Sequence, residues 1–172
     1  ITTREQLLDE MCSALGGRAS EDIVFGKVST GALNDLERVT KQSYAMVSYF
    51  GMSPKIGNLS FYDSSGQSEF TFGKPYSEKT AELIDIEAKN IVEEQYQRAK
   101  QILTENREGL NQLAQILLDK EVLFSDDLEN IFGPRKGGIP EEHQLLIKNG
   151  KTENETKEGN KPEPTENKDQ QA

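Results

Sequence analysis

The chain has 172 residues, 34% of them hydrophobic, and a formal charge of −10 from 30 acidic and 20 basic side chains. That length suits one domain with some additional chain. The acidity excludes a duplex-binding module, which needs a basic surface against phosphates, and no apolar run approaches the roughly 20 residues that span a bilayer. The single cysteine, Cys12, has no partner for an intrachain disulfide, and its apolar surroundings predict a small buried hydrophobe.

The chain opens on Ile1-Thr2-Thr3 without an initiator methionine, so a piece of a longer protein is expected, with any membrane attachment lying outside it. Thr2 with Glu5, or Thr3 with Gln6, forms a capping box. Leu7, Leu8, Met11, Cys12 and Leu15 then recur at helical spacing, and Gly16-Gly17 is expected to stop or bend the helix. A helical turn or two through Ala19, Ile23 and Val24 ends near Gly26. Ser29 or Thr30, with Asn34 as a rival, is positioned to cap the next helix. Its face is traced by Leu36, Val39, Ser43, Val47 and Phe50, and Gly51 and Pro54 end it.

Ser60-Phe61-Tyr62 and Phe70-Thr71-Phe72 flank a turn-rich Asp63-Ser64-Ser65-Gly66, which predicts a small β-hairpin. Ser77 caps a long helix whose stripe runs Ile84, Ala88, Ile91, Gln95, Ala99 and Ile102, widened by Ala81, Val92, Tyr96 and Leu103. A break at Thr104–Arg107 leads to a helix carrying Leu110, Leu113, Ala114, Leu117 and Leu118, which predicts an αα-hairpin. Ser125 is expected to cap a last short helix, stopped by Gly133-Pro134. The pattern fades from Lys136 onward, and the polar, charged end is too poor in apolar residues to offset its ordering entropy, so residues 136–172 are expected to form a disordered tail.

Several chemistries lack their residues. Gly26-Lys27-Val28-Ser29 is only an echo of a phosphate-binding loop. There is no G-x-S-x-G turn. The single histidine, His143, rules out a local H-E-x-x-H, the motif that sets two imidazoles on one helical face with a glutamate base. Taken bare, an acidic residue such as Asp35 near a helix start is a dipole-compatible surface group. Without further information the chain fits a non-catalytic helical oligomerisation or adaptor module equally well.

Two stretches alter that balance. Leu15-Gly16-Gly17-Arg18-Ala19-Ser20-Glu21 with Phe25-Gly26, followed by Val28-Ser29-Thr30-Gly31-Ala32-Leu33-Asn34-Asp35-Leu36, resembles the FtsH family of AAA ATP-dependent zinc metalloproteases. The likeness continues collinearly through Phe50-Gly51-Met52-Ser53, Gly57, Tyr76-Ser77, Tyr96, Arg98-Ala99, Leu103-Thr104, Asn106 and Leu117-Leu118. Lys74-Pro75-Tyr76-Ser77 and Leu123 through Gly133-Pro134-Arg135 are similar to the mitochondrial m-AAA branch and its bacterial relatives.

The resemblance implies a mainly α-helical peptidase subdomain over residues 1–135, with a small β-hairpin and a long αα-hairpin. It implies that Asp35 is the third zinc ligand, beside two histidines and a glutamate base supplied from upstream. Glu21, a carboxylate in the other matching stretch, is expected to support the site or brace Arg18 rather than bind metal. Ser29, Thr30 and Asn34 are expected to fix the loop carrying Asp35, and Gly31 to permit close approach or positive φ. The parent implied is a hexameric, membrane-anchored protease in the bacterial inner membrane facing the cytoplasm, or in the mitochondrial inner membrane facing the matrix. It would take unfolded or membrane proteins as substrates and bind ATP in an absent module. The fragment itself is expected to be soluble and inactive alone.

Overall fold

The computed structural model describes residues 1–61 and 76–134. They contain the α-helices α1 (Arg4–Ala14), α2 (Gly16–Phe25), α3 (Leu33–Ser48), α4 (Glu78–Glu105), α5 (Arg107–Lys120) and α6 (Ser125–Phe132), with a 3-10 turn at Thr30–Ala32 before α3. Clustering in space divides the chain within α5, into one unit of Ile1–Ala114 and another beginning at Gln115.

The first unit is organised around α4, against which α1, α2 and α3 all pack. Its predicted stripe forms the contact face. Ile84, Ala88, Ile91, Gln95 and Ala99 are buried, and only Ile102, near the C-terminal end, stays exposed. Met11, Leu15, Val39, Met46 and Val47 meet this stripe from α1, its cap and α3. Cys12 joins Ala19 and Ala99 in a second small cluster, and burial pushes its thiol pKa up, as expected of a packed rather than reactive thiol. Phe50, placed on the α3 face by periodicity, is exposed, while Met46 takes a core position that the spacing did not single out.

Caps explain where the helices start. Thr3 and Gln6 form the capping box of α1, with the Gln6 amide donating to Thr3 Oγ1 and the Thr3 amide to Gln6 Oε1. Ser77 accepts the Thr80 amide at the start of α4. Gly16-Gly17 does not end α1 in a left-handed cap. Leu15 keeps right-handed dihedrals, and the glycines open α2 instead. The left-handed cap comes at Gly26, φ 61°, as the sequence suggests. None of Ser29, Thr30 and Asn34 caps α3 itself. Ala32 precedes it without a side-chain cap, and Ser29 caps the 3-10 turn.

After α3 the chain folds back on the helix it has just left. The Met52 amide donates to the Met46 carbonyl at 2.9 Å and the Phe61 amide to the Ser48 carbonyl at 2.7 Å. Glu87 of α4, buried, accepts from Ser53 Oγ at 2.9 Å and from Lys55 Nζ at 2.7 Å, pinning this loop to the long helix. These bonds bear on the predicted hairpin. Ser60 and Phe61 are not in a strand, because the Phe61 amide serves the end of α3 and its ring meets Tyr76 edge-on, with centroids 4.9 Å apart. No strand occurs among the described residues, and the remainder of the expected hairpin, residues 62–72, lies outside them, as does the tail from 136.

The long helix and its successor are both present, joined at Asn106, whose amide and side chain both donate to the Ile102 carbonyl. No residue of α5 is buried. In the second unit, Ser125 is the first residue of α6 rather than its cap. Asp127 reaches back to accept the Phe124 amide at 3.1 Å and also takes Lys120 Nζ at 2.9 Å. No described helix is long and apolar enough to cross a membrane.

Candidate functional site

Asp35 stands in the first turn of α3, with its side chain 48% exposed. It pairs with Arg38, one turn on, at 3.7 Å. Surface pairs of this length contribute little, so the carboxylate remains available to a stronger partner. The clefts between α3 and α4 and beside the loop after α3 are lined by other residues, among them Tyr44, Asp85, Arg4 and Glu87.

Glu21 does not touch Asp35. Both of its oxygens hold Ser29: the Ser29 amide donates to Oε2 at 2.8 Å and the Ser29 hydroxyl to Oε1 at 2.7 Å. These bonds, the backbone one first, hold the Glu21 carboxyl below its ordinary range, with the Arg18 charge a smaller cause. The expected brace therefore runs to Ser29 rather than to Arg18. Ser29 Oγ in turn accepts the Gly31 amide at 3.2 Å and so shapes the 3-10 turn that leads into α3. Gly31 does not have positive φ, but a Cβ there would lie 3.3 Å from Ser29 Oγ, so the close approach expected of it is to that hydroxyl.

Asp22, Lys100 and Arg107, which neither motif reading singled out, join Tyr96 in anchoring α2, the helix carrying Glu21. Asp22 accepts from Tyr96 Oη at 2.9 Å and Lys100 Nζ at 2.7 Å, both on α4, and Lys100 lies 5.6 Å from the Tyr96 ring centroid. Arg107 Nη1 donates to the Ile23 carbonyl at 3.0 Å, satisfying the C-terminal end of α2. Tyr96 and Lys100 sit four apart on one helical face, and that spacing was the available signal. Nothing in sequence spacing assigned Asp22 to them.

Between Glu21 and Asp35 the chain leaves Val24, Phe25, Val28 and Leu33 exposed, with Phe25 at 72% and Leu33 at 70%. No group of three or more His, Cys, Asp or Glu that could hold a metal occurs among the described residues. The donor set fits zinc in one limited sense. A carboxylate oxygen is an ordinary zinc ligand and Asp35 presents one, while the described residues form no complete site.

The peptidase family M41 model matches residues 1–131. The chain therefore belongs to peptidase family M41, the family of ATP-dependent zinc metalloproteases whose curated members it matches. It is 59% identical over 171 residues to the ATP-dependent zinc metalloprotease FtsH of Parabacteroides distasonis, covering 97% of this chain and 25% of that protein. It is 49% identical over 167 residues to the FtsH of Rhodothermus marinus, covering 96% of this chain and 23% of that protein. A mitochondrial inner membrane m-AAA protease component of Mus musculus is 46% identical over 135 residues, 78% of this chain and 17% of that protein. The chain thus spans a quarter or less of the length of these relatives.

Proposed function

We propose that residues 1–135 form the C-terminal part of the peptidase domain of a larger, membrane-anchored, ATP-dependent zinc endopeptidase, in which Asp35 is the third zinc ligand. The observation that carries this reading is the Asp35 carboxylate itself. It lies half-exposed in the first turn of a buried-faced helix, held only weakly by Arg38, within a stretch matched by the zinc protease family. Two imidazoles and a glutamate base come from sequence outside this chain, and the exposed Val24, Phe25, Val28 and Leu33 offer that segment an apolar seat.

When bound, zinc supplies Lewis-acid activation of water at neutral pH for attack on a peptide carbonyl. The work of this chain is to hold and orient. Asp35 presents one oxygen, and Glu21 fixes Ser29, which fixes the turn that carries Asp35. Glu21 is thus a support rather than a ligand. The reading further includes a hexameric ring, ATP bound by an upstream module, and unfolded or membrane proteins as substrates, as the resemblance to the FtsH family implies. The membrane is the bacterial inner membrane, facing the cytoplasm, or its mitochondrial counterpart, facing the matrix. This segment alone is inactive.

The test uses the protein extended upstream through its H-E-x-x-H segment, with zinc content and hydrolysis of an unfolded substrate as readouts. The wild type is expected to hold about one zinc per chain. Asp35→Ala is expected to lose zinc and at least the roughly 100-fold in activity that loss of a supporting partner alone can cause, with its helical content intact. Full zinc and full activity in that variant would contradict the ligand role. An upstream sequence with neither H-E-x-x-H nor a phosphate-binding loop would favour the adaptor reading.

A further inference from the structure

We propose that Asp22, Tyr96, Lys100 and Arg107 are positioning residues for the metal site, setting where α2 places the Glu21–Ser29 clamp and hence the turn before Asp35. The inference rests on the reading of Asp35 as a zinc ligand.

Helix α2 has ten residues and one buried residue, Ala19. The helix packs against α4, and polar contacts add directional restraints to that packing. Adjacent helical residues project about 100° apart and do not face each other. Asp22 and Glu21 therefore look in different directions from one backbone. Asp22 faces α4, where Tyr96 Oη and Lys100 Nζ, one turn apart, both donate to Oδ2. Two donors on one oxygen define a point along α4, and a third contact, from Arg107 Nη1 to the Ile23 carbonyl, holds the C-terminal end of the helix. About 100° round the helix from Asp22, α2 carries Glu21, both of whose oxygens bind Ser29. Four residues after the Gly31 amide that Ser29 accepts comes Asp35. The carboxylate offered to zinc is thus tied to α4 through two consecutive side chains of α2, in addition to the packing of α3 itself.

Two measurements separate positioning from general stability. In the full 172-residue chain, amide hydrogen exchange is compared for wild type, Tyr96→Phe, Lys100→Met and the double variant. Exchange at Ser29 and Gly31 is expected to accelerate several-fold in the double variant, with the core amides of Val39 and Met46 unchanged and Lys100→Arg restoring the wild-type pattern. Uniform acceleration across α3 would mean only that the fold is weaker, and would overturn the proposal. In the upstream-extended protein, the double variant is expected to yield zinc to a chelator about tenfold more readily, the lower end of what loss of a ligand's supporting partner brings, with its Tm in the zinc-free state little changed. If Asp35→Ala releases zinc and the double variant retains it like wild type, the positioning role fails while the ligand role stands. If Asp35→Ala retains zinc, both fail.

Discussion

Both oxygens of Glu21 are committed to a single residue, and that commitment makes the site sensitive to acid. The Ser29 bonds hold the Glu21 carboxyl below its ordinary 4.5. Lys100, then Tyr96, do the same for Asp22, whose ordinary value is 3.8, and Lys55, with Ser53, does so for Glu87. A carboxylate whose folded-state pKa lies below its unfolded value stabilises the fold above the unfolded pKa. That contribution is lost as pH falls through the folded value, because the unfolded chain binds the proton first. Stability measured by urea unfolding is therefore expected to be level from about pH 7 to 5 and to fall below about pH 4.5. Glu87→Gln should lower the plateau and shallow the fall. A profile flat down to about pH 3 would contradict these assignments. At the alkaline end the sign reverses for Lys100, whose pKa is raised chiefly by its bond to Asp22. Its contribution is present below the ordinary 10.5 and is lost as pH climbs through the folded value.

At the scale of elements, the structure divides according to how much of each one lies in its own periodicity. The α4 stripe is legible because a long helix packed along one side must repeat its apolar residues every three or four positions. The burial of Gln95 within that stripe follows the same rule against its chemistry, and Arg98 Nη1 satisfies its oxygen at 3.2 Å. The loop after α3 is a different case. Gly51 has φ 61°, and a Cβ there would lie 3.2 Å from the Gly57 carbonyl oxygen and 3.3 Å from Asn58 Cα. Sequence places a helix stop here but cannot show the backbone that crosses it. Gly51→Ala is expected to cost about 1 kcal/mol or more, from the left-handed backbone together with that crowding. Met46→Ala, at a residue with no exposed surface, should cost about 2–5 kcal/mol by leaving a cavity between α3 and α4. Chemical denaturation checks both, and a loss well under 1 kcal/mol in either would contradict the packing described.

For the whole molecule, helical class was legible and Asp35 could be named as a candidate, while the connections around the turn that carries it were not. Asp35 and Glu21 sit in motifs that a sequence displays directly. The Asp22–Tyr96 bond joins residues 74 apart, and the Arg107–Ile23 bond joins residues 84 apart. No local window contains both ends of either, and only the fold brings them together. The expected link from Glu21 to Arg18 shows the same limit in reverse: proximity in sequence suggested a partner, and the turn of the chain at Gly26 supplied Ser29 instead. On the proposed boundary at residue 135, removing residues 136–172 should leave Tm nearly unchanged, and a large drop would make that segment part of the folded domain.

The central claim is that this chain lends one oxygen to a metal held mainly by residues outside it. Anomalous diffraction at the zinc edge, from crystals of the upstream-extended protein, tests it most directly. The account predicts zinc about 2.0–2.2 Å from an Asp35 carboxylate oxygen, with Glu21 still bonded to Ser29. Zinc bound through Glu21 or another carboxylate, with Asp35 left beside Arg38, would contradict it.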